Sequence, residues 1–129
     1  MINYIHDLRF NTNIAEEFFA KKLAYTLGPV ELREKMQKSD IKVIDVRNKE
    51  DYDKGHIKGS VSMPYSDLEK SLVNLSKNQL HIICCYNQQC HLGAKACYLL
   101  TSNDYPAMDL EGGYEVWQRF HFEIEFLDK

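Results

Sequence analysis

The sequence predicts an α/β fold in which a small, mainly parallel sheet is covered by helices on both faces. Segments with strand character alternate along the chain with segments of helical periodicity, an order that favours βα units. Two strand segments, 41–46 and 80–85, are apolar almost throughout, as strands buried on both faces are. The chain has 129 residues, 44% of them hydrophobic, which suffices for one domain with its own core.

Residues 1–28 are interpreted as a helical extension of the domain. Apolar side chains recur every three or four positions between residues 14 and 27, which indicates an amphipathic helix. We expect Asn13 and Glu16 to cap its start and Gly28 to end it. Its apolar side chains should be covered by the domain's own helical layer, with a second subunit as the alternative. They are Phe18, Phe19, Leu23, Tyr25 and Leu27.

Residues 29–129 are predicted to form the α/β domain. Pro29 suits the first turn of a helix that ends at Lys38, because the fixed φ of proline is compatible with that position. The predicted strands are 41–46, 60–63, 80–85 and 107–110, and the helices that follow contain Leu68, residues 92–100 and Trp117. The pair Gly112 and Gly113 turns the chain into the last helix.

Charge and hydropathy exclude several classes of function. The formal net charge is -3, so no basic excess exists to neutralise phosphates, and nucleic acid is not an expected partner. No apolar run approaches the roughly 20 residues that span a bilayer, and residues 1–10 lack the apolar stretch of a signal peptide. We therefore expect no membrane association and a cytoplasmic location.

The four cysteines fall within a short segment, 84–97. That is too local for disulfides that staple distant parts of a small secreted domain, so thiol or metal chemistry in a reducing compartment is favoured. The spacing lacks the paired C-x-x-C arrangement of structural zinc sites. We therefore expect neither a metal nor a cofactor.

Two segments should meet at one edge of the sheet, because ligands of such folds bind beyond the carboxyl ends of the strands. Asp45 and Arg47 end one buried strand, and Cys85 begins the loop after the other. Amide dipoles of the loop and the next helix would favour a Cys85 thiolate. A buried, inert cysteine is the alternative, and the local sequence does not decide between them. Strand alternation places Cys84 on the opposite face, in the core.

Three motifs resemble those of rhodanese-like domains. Residues 43–60 contain D-V-R, E-D-Y and G-H-I-x-G, residues 82–93 resemble the family's active-site loop, and residues 110–117 read L-E-G-G-Y-E-V-W. The resemblance covers about residues 29 to 121 and implies a five-stranded, mainly parallel sheet. It also implies a sulfurtransferase in which Cys85 is the nucleophile and carries sulfane sulfur as a persulfide.

The loop departs from the family pattern C-x-x-G-x-R-S. Gln88 stands at the usual glycine and Cys90 at the usual arginine. A left-handed backbone would then fall on Asn87 or strain Gln88. The loop offers no cation for a sulfonate, so thiosulfate is not the expected donor. The candidate substrate-binding residues are Arg47, Tyr86, Asn87, Gln88, Gln89 and His91. Three further residues are expected to support the site: Asp45, and Glu50 or Asp51 as the ion-pair partner of Arg47.

A subset of the family carries a second cysteine five positions after the first, as Cys90 follows Cys85 here. This resemblance implies a second catalytic thiol that could resolve a persulfide by forming a disulfide. Three functions stay open: a sulfurtransferase, a Cys85/Cys90 thiol-disulfide or persulfide reductase, and a non-catalytic binding module. A phosphatase of this fold would need an arginine where His91 stands. The expected partners are a small sulfur donor and a thiol acceptor, or a sulfur-relay protein, and the oligomeric state is undecided.

Overall fold

The computed structural model describes residue 9 and residues 11–127. In this part of the chain, six α-helices, one short 3-10 helix (Leu72–Asn74) and seven strands follow one another. The helices are α1 (Thr12–Tyr25), α2 (Pro29–Lys38), α3 (Lys49–Lys54), α4 (Tyr65–Ser71), α5 (Leu92–Thr101) and α6 (Gly113–Arg119). The strands are β1 (Thr26–Leu27), β2 (Ile41–Asp45), β3 (His56–Ile57), β4 (Val61–Ser62), β5 (Leu80–Cys84), β6 (Ala107–Leu110) and β7 (Ile124–Glu125).

Five strands form the central sheet in the order β1-β6-β5-β2-β4. All four pairings are parallel, so the sequence prediction of an α/β fold with a parallel sheet is confirmed. The register places Asp45 opposite Cys84. The chain segments that follow β2 and β5 therefore leave the sheet side by side, and this brings Arg47 and Cys85 to one edge.

Two apolar cores flank the sheet. Leu32 of α2 and Trp117 of α6 belong to one core together with Cys84. Leu68 of α4 and the buried residues of α5 belong to the other, together with Cys85. Adjacent strand residues point to opposite faces, and the prediction that Cys84 is a core residue behind the sheet is confirmed by its complete burial.

The N-terminal helix departs from expectation. It begins at Thr12 with Asn11 as its N-cap, and no side chain caps it, so the predicted cap by Asn13 and Glu16 is wrong. Leu27 is not helical either: it lies in the edge strand β1, opposite Leu110. A strand ladder that satisfies the backbone and buries Leu27 replaces the last helical turn.

The expected covering of α1 by the domain is also wrong. No residue of α1 is buried, and the apolar side chains of the helix stay between 55% and 79% exposed: Ile14, Phe18, Phe19, Leu23 and Tyr25. The reason is that the helix meets the domain at its C-terminal end, through β1 and the ion pair of Lys22 with Glu111. The predicted domain boundary at residue 28 stays a prediction.

A second, smaller ribbon pairs β3 with β7 in antiparallel register, which the sequence analysis did not foresee. Among the described residues, no helix combines the length and the apolar character needed to cross a bilayer.

Candidate active site at Cys85

The loop between β5 and α5 is held by the start of α6. The Tyr114 N–H donates to the Cys85 carbonyl at 2.8 Å, and the Glu115 N–H donates to the Tyr86 carbonyl at 3.1 Å. Gly113 makes this approach possible: its φ is +60°, and a Cβ there would lie 2.5 Å from the Cys85 carbonyl oxygen. The sequence pattern indicated Gly113 only as a turn residue and not as the residue that holds the loop. The two adjacent glycines at residues 112–113 were the sequence signal that could have indicated a close approach of the backbone here.

The Cys85 sulfur is buried at the base of this loop, with the residue 3% exposed. Its Sγ lies 3.6 Å from the carbonyl oxygens of both Asn87 and Cys90. Burial and a hydrogen bond with the Cys90 thiol raise the pKa of Cys85 to about 11, against the opposing backbone hydrogen bonds of Gly93 and Asn87. The predicted effect of the loop amides is present, but desolvation outweighs it, so the resting group is a thiol and not a thiolate.

Cys90 faces Cys85 across the loop. Its N–H donates to the Asn87 carbonyl at 3.2 Å, and its thiol is the hydrogen-bonding neighbour that raises the pKa of Cys85. The thiols of Cys84, Cys85, Cys90 and Cys97 are all free. The structure thus brings the two predicted catalytic cysteines together as a dithiol.

A cavity of about 220 Å³ opens over Cys85. Five predicted site residues line it: Cys85, Asn87, Gln88, Cys90 and His91. The lining residues that the sequence analysis did not assign include Lys22 from α1, Thr26 from β1, Asp109 from β6 and Glu111 just beyond β6. These residues come from chain segments far from the loop in sequence, so no local pattern indicated them.

Charged side chains of this cavity come from α1 and the end of β6. Lys22 donates a hydrogen bond to Glu111, which largely neutralises the cation. Burial and the neighbouring Glu111 raise the pKa of Asp109 to about 6, while Lys22 opposes this rise. Above that pH, Lys22 and the two carboxylates together contribute no net positive charge to the cavity wall.

Arg47 does not serve as the predicted cation of the Cys85 cavity. Its side chain is 4% exposed, and its Nη2 lies 2.8 Å from Asp45. The same nitrogen donates to the Gly55 carbonyl at 2.7 Å, and the guanidinium lies 4.2 Å from the centre of the Tyr114 ring. The predicted pairing of Arg47 with Glu50 or Asp51 is therefore wrong. Asp45 is two residues away and already buried, so it takes the guanidinium.

The remaining predicted residues lie on the other side of the loop or at the surface. The Tyr86 hydroxyl donates to Asp51 at 2.5 Å and accepts the Asn48 N–H at 3.2 Å, so Asp51 anchors the loop. Glu50 is exposed. The Gln89 N–H donates to the Asn87 side-chain oxygen at 3.1 Å, and Gln89 does not line the Cys85 cavity.

A second cavity, of about 410 Å³, lies beyond Tyr86, and Arg47, Asp51 and Asn87 are among its lining residues.

The loop does not need the glycine that it lacks. Among the described non-glycine residues, Asp104 and His121 have positive φ, so neither Asn87 nor Gln88 is left-handed and the expected strain is absent. The Asn87 side chain and carbonyl close the turn through the Gln89 and Cys90 amides instead. In residues 11–127, no group of three or more His, Cys, Asp or Glu side chains could hold a metal ion.

Three comparisons with known proteins bear on this site. The model of the rhodanese-like domain matches residues 28–120. A curated relative, the thiosulfate sulfurtransferase GlpE of Pseudoalteromonas translucida (strain TAC 125), is 28% identical over 90 residues, which cover 70% of this chain and 85% of that protein.

Among solved structures, the BH2092 protein of Bacillus halodurans is 29% identical, with a TM-score of 0.82, 91% of this chain covered and 88% of that one. A full-length protein from Lactobacillus plantarum is 25% identical, with a TM-score of 0.83 and coverage of 90% and 99%. A rhodanese-like domain protein from Staphylococcus aureus is 26% identical, with a TM-score of 0.67 and coverage of 72% and 90%. The family match spans most of the chain, and it includes the loop that holds Cys85. The chain belongs to the family of rhodanese-like domains.

Proposed function

We propose that the protein is a sulfurtransferase that carries sulfane sulfur as a persulfide on Cys85 and passes it to a thiol or another nucleophile. The observation that carries the proposal is the position of the Cys85 sulfur at the floor of a cavity, beyond the carboxyl end of a central strand. Family membership and the similarity to a thiosulfate sulfurtransferase support the same chemistry.

Sulfur would move by two displacements at one sulfur atom. Cys85, as its thiolate, attacks the outer sulfur of a donor persulfide, the donor S–S bond breaks, and the donor leaves as a thiol once it takes up the Cys85 proton. An acceptor thiol then attacks the outer sulfur of the Cys85 persulfide and regenerates the Cys85 thiol. The Gly93 and Asn87 backbone groups, which lower the pKa of Cys85, can stabilise the anionic sulfur.

The charge of the cavity bears on the donor. Lys22 reaches the cavity from outside the loop but is paired with Glu111, and Asp109 adds a second carboxylate. A dianion such as thiosulfate would meet no unpaired Lys or Arg side chain among the residues that line this cavity. We therefore infer that the physiological donor is a persulfide of a thiol or a sulfur-relay protein, not thiosulfate.

A second candidate function follows from the dithiol. The Cys85 sulfur lies 3.6 Å from the Cys90 carbonyl oxygen, and the Cys90 thiol is near enough to raise the pKa of Cys85, so Cys90 can attack the inner sulfur of a Cys85 persulfide. This forms a Cys85–Cys90 disulfide and releases the outer sulfur as sulfide, and an external thiol must then reduce the disulfide. The clustering of the four cysteines within residues 84–97 supports a reducing compartment such as the cytoplasm as the proposed location.

Substitution of Cys90 separates the two functions. We expect Cys90→Ser to retain sulfur transfer to a thiol acceptor, since the transfer needs only Cys85. The dithiol cycle predicts instead that Cys90→Ser abolishes the release of sulfide under turnover. Both products are measured in the same reaction, with Cys97→Ser as the matched control. Full sulfur transfer by Cys85→Ser would contradict both functions, and a complete lack of turnover by the wild type would favour the binding module.

A further inference from the structure

Asp109 is a carboxyl group in the Cys85 cavity that takes part in no ion pair among the described residues. It lies on β6, and its side chain shares the cavity with Cys85 and Cys90. Glu111 is tied to Lys22, whereas among the described residues no side chain or backbone N–H donates to the Asp109 carboxyl. A half-buried carboxylate without a donor is costly to keep in a stable fold.

Gly93 connects this carboxyl to the reacting sulfur. The Gly93 backbone lies close enough to the Cys85 sulfur to lower the pKa of the thiol, and a Cβ on the same glycine would lie 2.5 Å from the Asp109 Oδ1. Sulfur and carboxyl therefore pack against one residue at the N-terminus of α5. A molecule that reaches the outer sulfur of a Cys85 persulfide through this cavity therefore passes the Asp109 carboxyl, which lies in the cavity wall.

We propose that Asp109 is the general base that accepts the proton of an acceptor thiol as that thiol attacks the persulfide on Cys85. The inference rests on the proposed function and deepens it, because it names neutral thiols as the acceptors that this site favours. A neutral thiol must lose a proton to become a nucleophile, and a carboxylate within reach can take it.

The step balances without an external reactant. The S–H proton of the acceptor moves to an Asp109 oxygen, and the acceptor sulfur bonds to the outer sulfur of the persulfide. The S–S bond to Cys85 breaks, and its electron pair stays on the Cys85 sulfur. Asp109 then returns the proton to Cys85. The products are the acceptor persulfide and the Cys85 thiol, with Asp109 again a carboxylate.

The acidities of the two groups support both proton transfers. The pKa of Asp109 is raised to about 6 by burial, so the group is mostly a carboxylate at neutral pH and a stronger base than an ordinary Asp. The pKa of the Cys85 thiol is raised to about 11, so the leaving thiolate takes the proton back readily.

Other titratable groups face Asp109 from every element around it. Lys22 lies on α1, Glu111 lies beyond β6, and Cys97 lies on α5. Cys84, on β5, shifts in pKa with the Asp109 charge. The active-site loop contributes Cys85, Cys90 and His91 to the same cavity. Of these, Lys22 is the group that lowers the pKa of Asp109 and Glu111 the one that raises it.

The test compares two acceptors in single-turnover reactions of the preloaded persulfide, followed by intact mass. One acceptor is an alkyl thiol such as 2-mercaptoethanol, which must lose a proton. The other is sulfite at pH 8, which is already an anion. We expect Asp109→Asn to lower the rate of sulfur transfer to the alkyl thiol by about tenfold or more at pH 7. The rate of transfer to sulfite should not fall. The control Asp104→Asn, at an exposed turn, should change neither.

The pH dependence gives a second measurement. The advantage of the wild type over Asp109→Asn should vanish below about pH 5, where Asp109 holds its proton. Lys22→Gln should shift the acidic limb of the wild-type rate to higher pH, because Lys22 lowers the pKa of Asp109. The control Lys21→Gln, whose exposed side chain pairs with Glu17, should not shift it.

Equal slowing of both acceptors by Asp109→Asn would assign Asp109 a structural role and overturn the inference, as would no slowing of either. If Asp109→Asn fails to fold, Lys22→Gln still tests the inference: an acidic limb of the pH–rate profile that stays at the wild-type pH overturns it. A wild-type protein that forms no persulfide would instead contradict the proposed function itself.

Discussion

The Cys85 thiol is held as a weak acid by its surroundings. Burial is the largest cause, and the Cys90 thiol adds to it through a hydrogen bond and its charge. Two backbone amides act in the opposite direction and are outweighed. At the scale of the residue, Cys85 thus needs either a partner that takes its proton or a substrate that does so.

Replacement of Cys90 should make Cys85 more acidic. Because the Cys90 side chain raises the pKa of Cys85, Cys90→Ala should lower it and speed alkylation of Cys85 at neutral pH, since the thiolate is the reactive form. Iodoacetamide labelling between pH 7 and 11, read by peptide mass spectrometry, measures this rate. Cys97→Ala is the matched control and should have the smaller effect. Unchanged or slower labelling in Cys90→Ala would show that the two thiols do not interact as described.

Asp109 should lower the stability of the fold at neutral pH. Its pKa is raised from 3.8 to about 6 on folding, so the folded state holds the proton more tightly than the unfolded chain. The destabilisation is small below pH 4, grows as the pH rises to 6 and is constant above. With allowance for solvent screening, Asp109→Asn should gain about 1 to 2 kcal/mol at pH 8 and much less at pH 4.5.

Urea unfolding of Asp109→Asn and of the control Asp104→Asn at both pH values measures this gain. A loss of stability at pH 8 in Asp109→Asn would mean that the carboxylate has a stabilising partner, and it would remove the argument for a free base.

At the scale of elements, the start of α6 determines where the active-site loop lies. Its first amides donate to the carbonyls of Cys85 and Tyr86, and Gly113 allows the contact through its positive φ and missing Cβ. The Tyr86 hydroxyl and Asp51 fix the loop from the other side. The loop is thus held by backbone contacts as well as by its own sequence.

A methyl group at Gly113 should displace the loop. Gly113→Ala carries a left-handed backbone, which costs about 1 to 2 kcal/mol, and its Cβ would in addition meet the Cys85 carbonyl at 2.5 Å. We expect a larger loss of stability than in Gly59→Ala, where φ is +90° but the nearest atom is 3.7 Å away.

Urea unfolding measures both variants, and the rate of sulfur transfer per folded molecule should fall only in Gly113→Ala. Equal behaviour of the two glycine variants would mean that backbone strain alone matters at Gly113.

Local sequence patterns predicted helices and strands well where one strong signal was present. Helix α2 and strand β6 have the predicted bounds, residues 29–38 and 107–110, because proline fixes a helix start and β6 is a short run of mostly apolar residues next to a turn. Leu27 was misassigned because its spacing fits a helix, whereas the pairing with β6 that makes it a strand residue is non-local. The ribbon of β3 and β7 was missed for the same reason.

At the scale of the whole molecule, the Cys85 cavity is assembled from distant segments. The motifs predict Cys85 and its loop as the site, since those residues are contiguous in sequence. Lys22 lies before the family match, which begins at residue 28, and Asp109 lies in an ordinary strand pattern. Their approach to Cys85 depends on how α1 and β6 meet, and hydrophobic periodicity carries no information about it. The ion-pair partner of Arg47 was predicted wrongly for a similar reason, because three carboxylates lie within four residues of Arg47 in the sequence.

The most direct test of a persulfide on Cys85 is the intact mass of the protein before and after treatment with a sulfane-sulfur donor, and again after cyanide. We expect a gain of one sulfur atom that cyanide removes, that Cys85→Ser prevents and that Cys97→Ser retains. A mass that does not change with any of several donors would contradict the persulfide on Cys85, as would a gain that persists in Cys85→Ser.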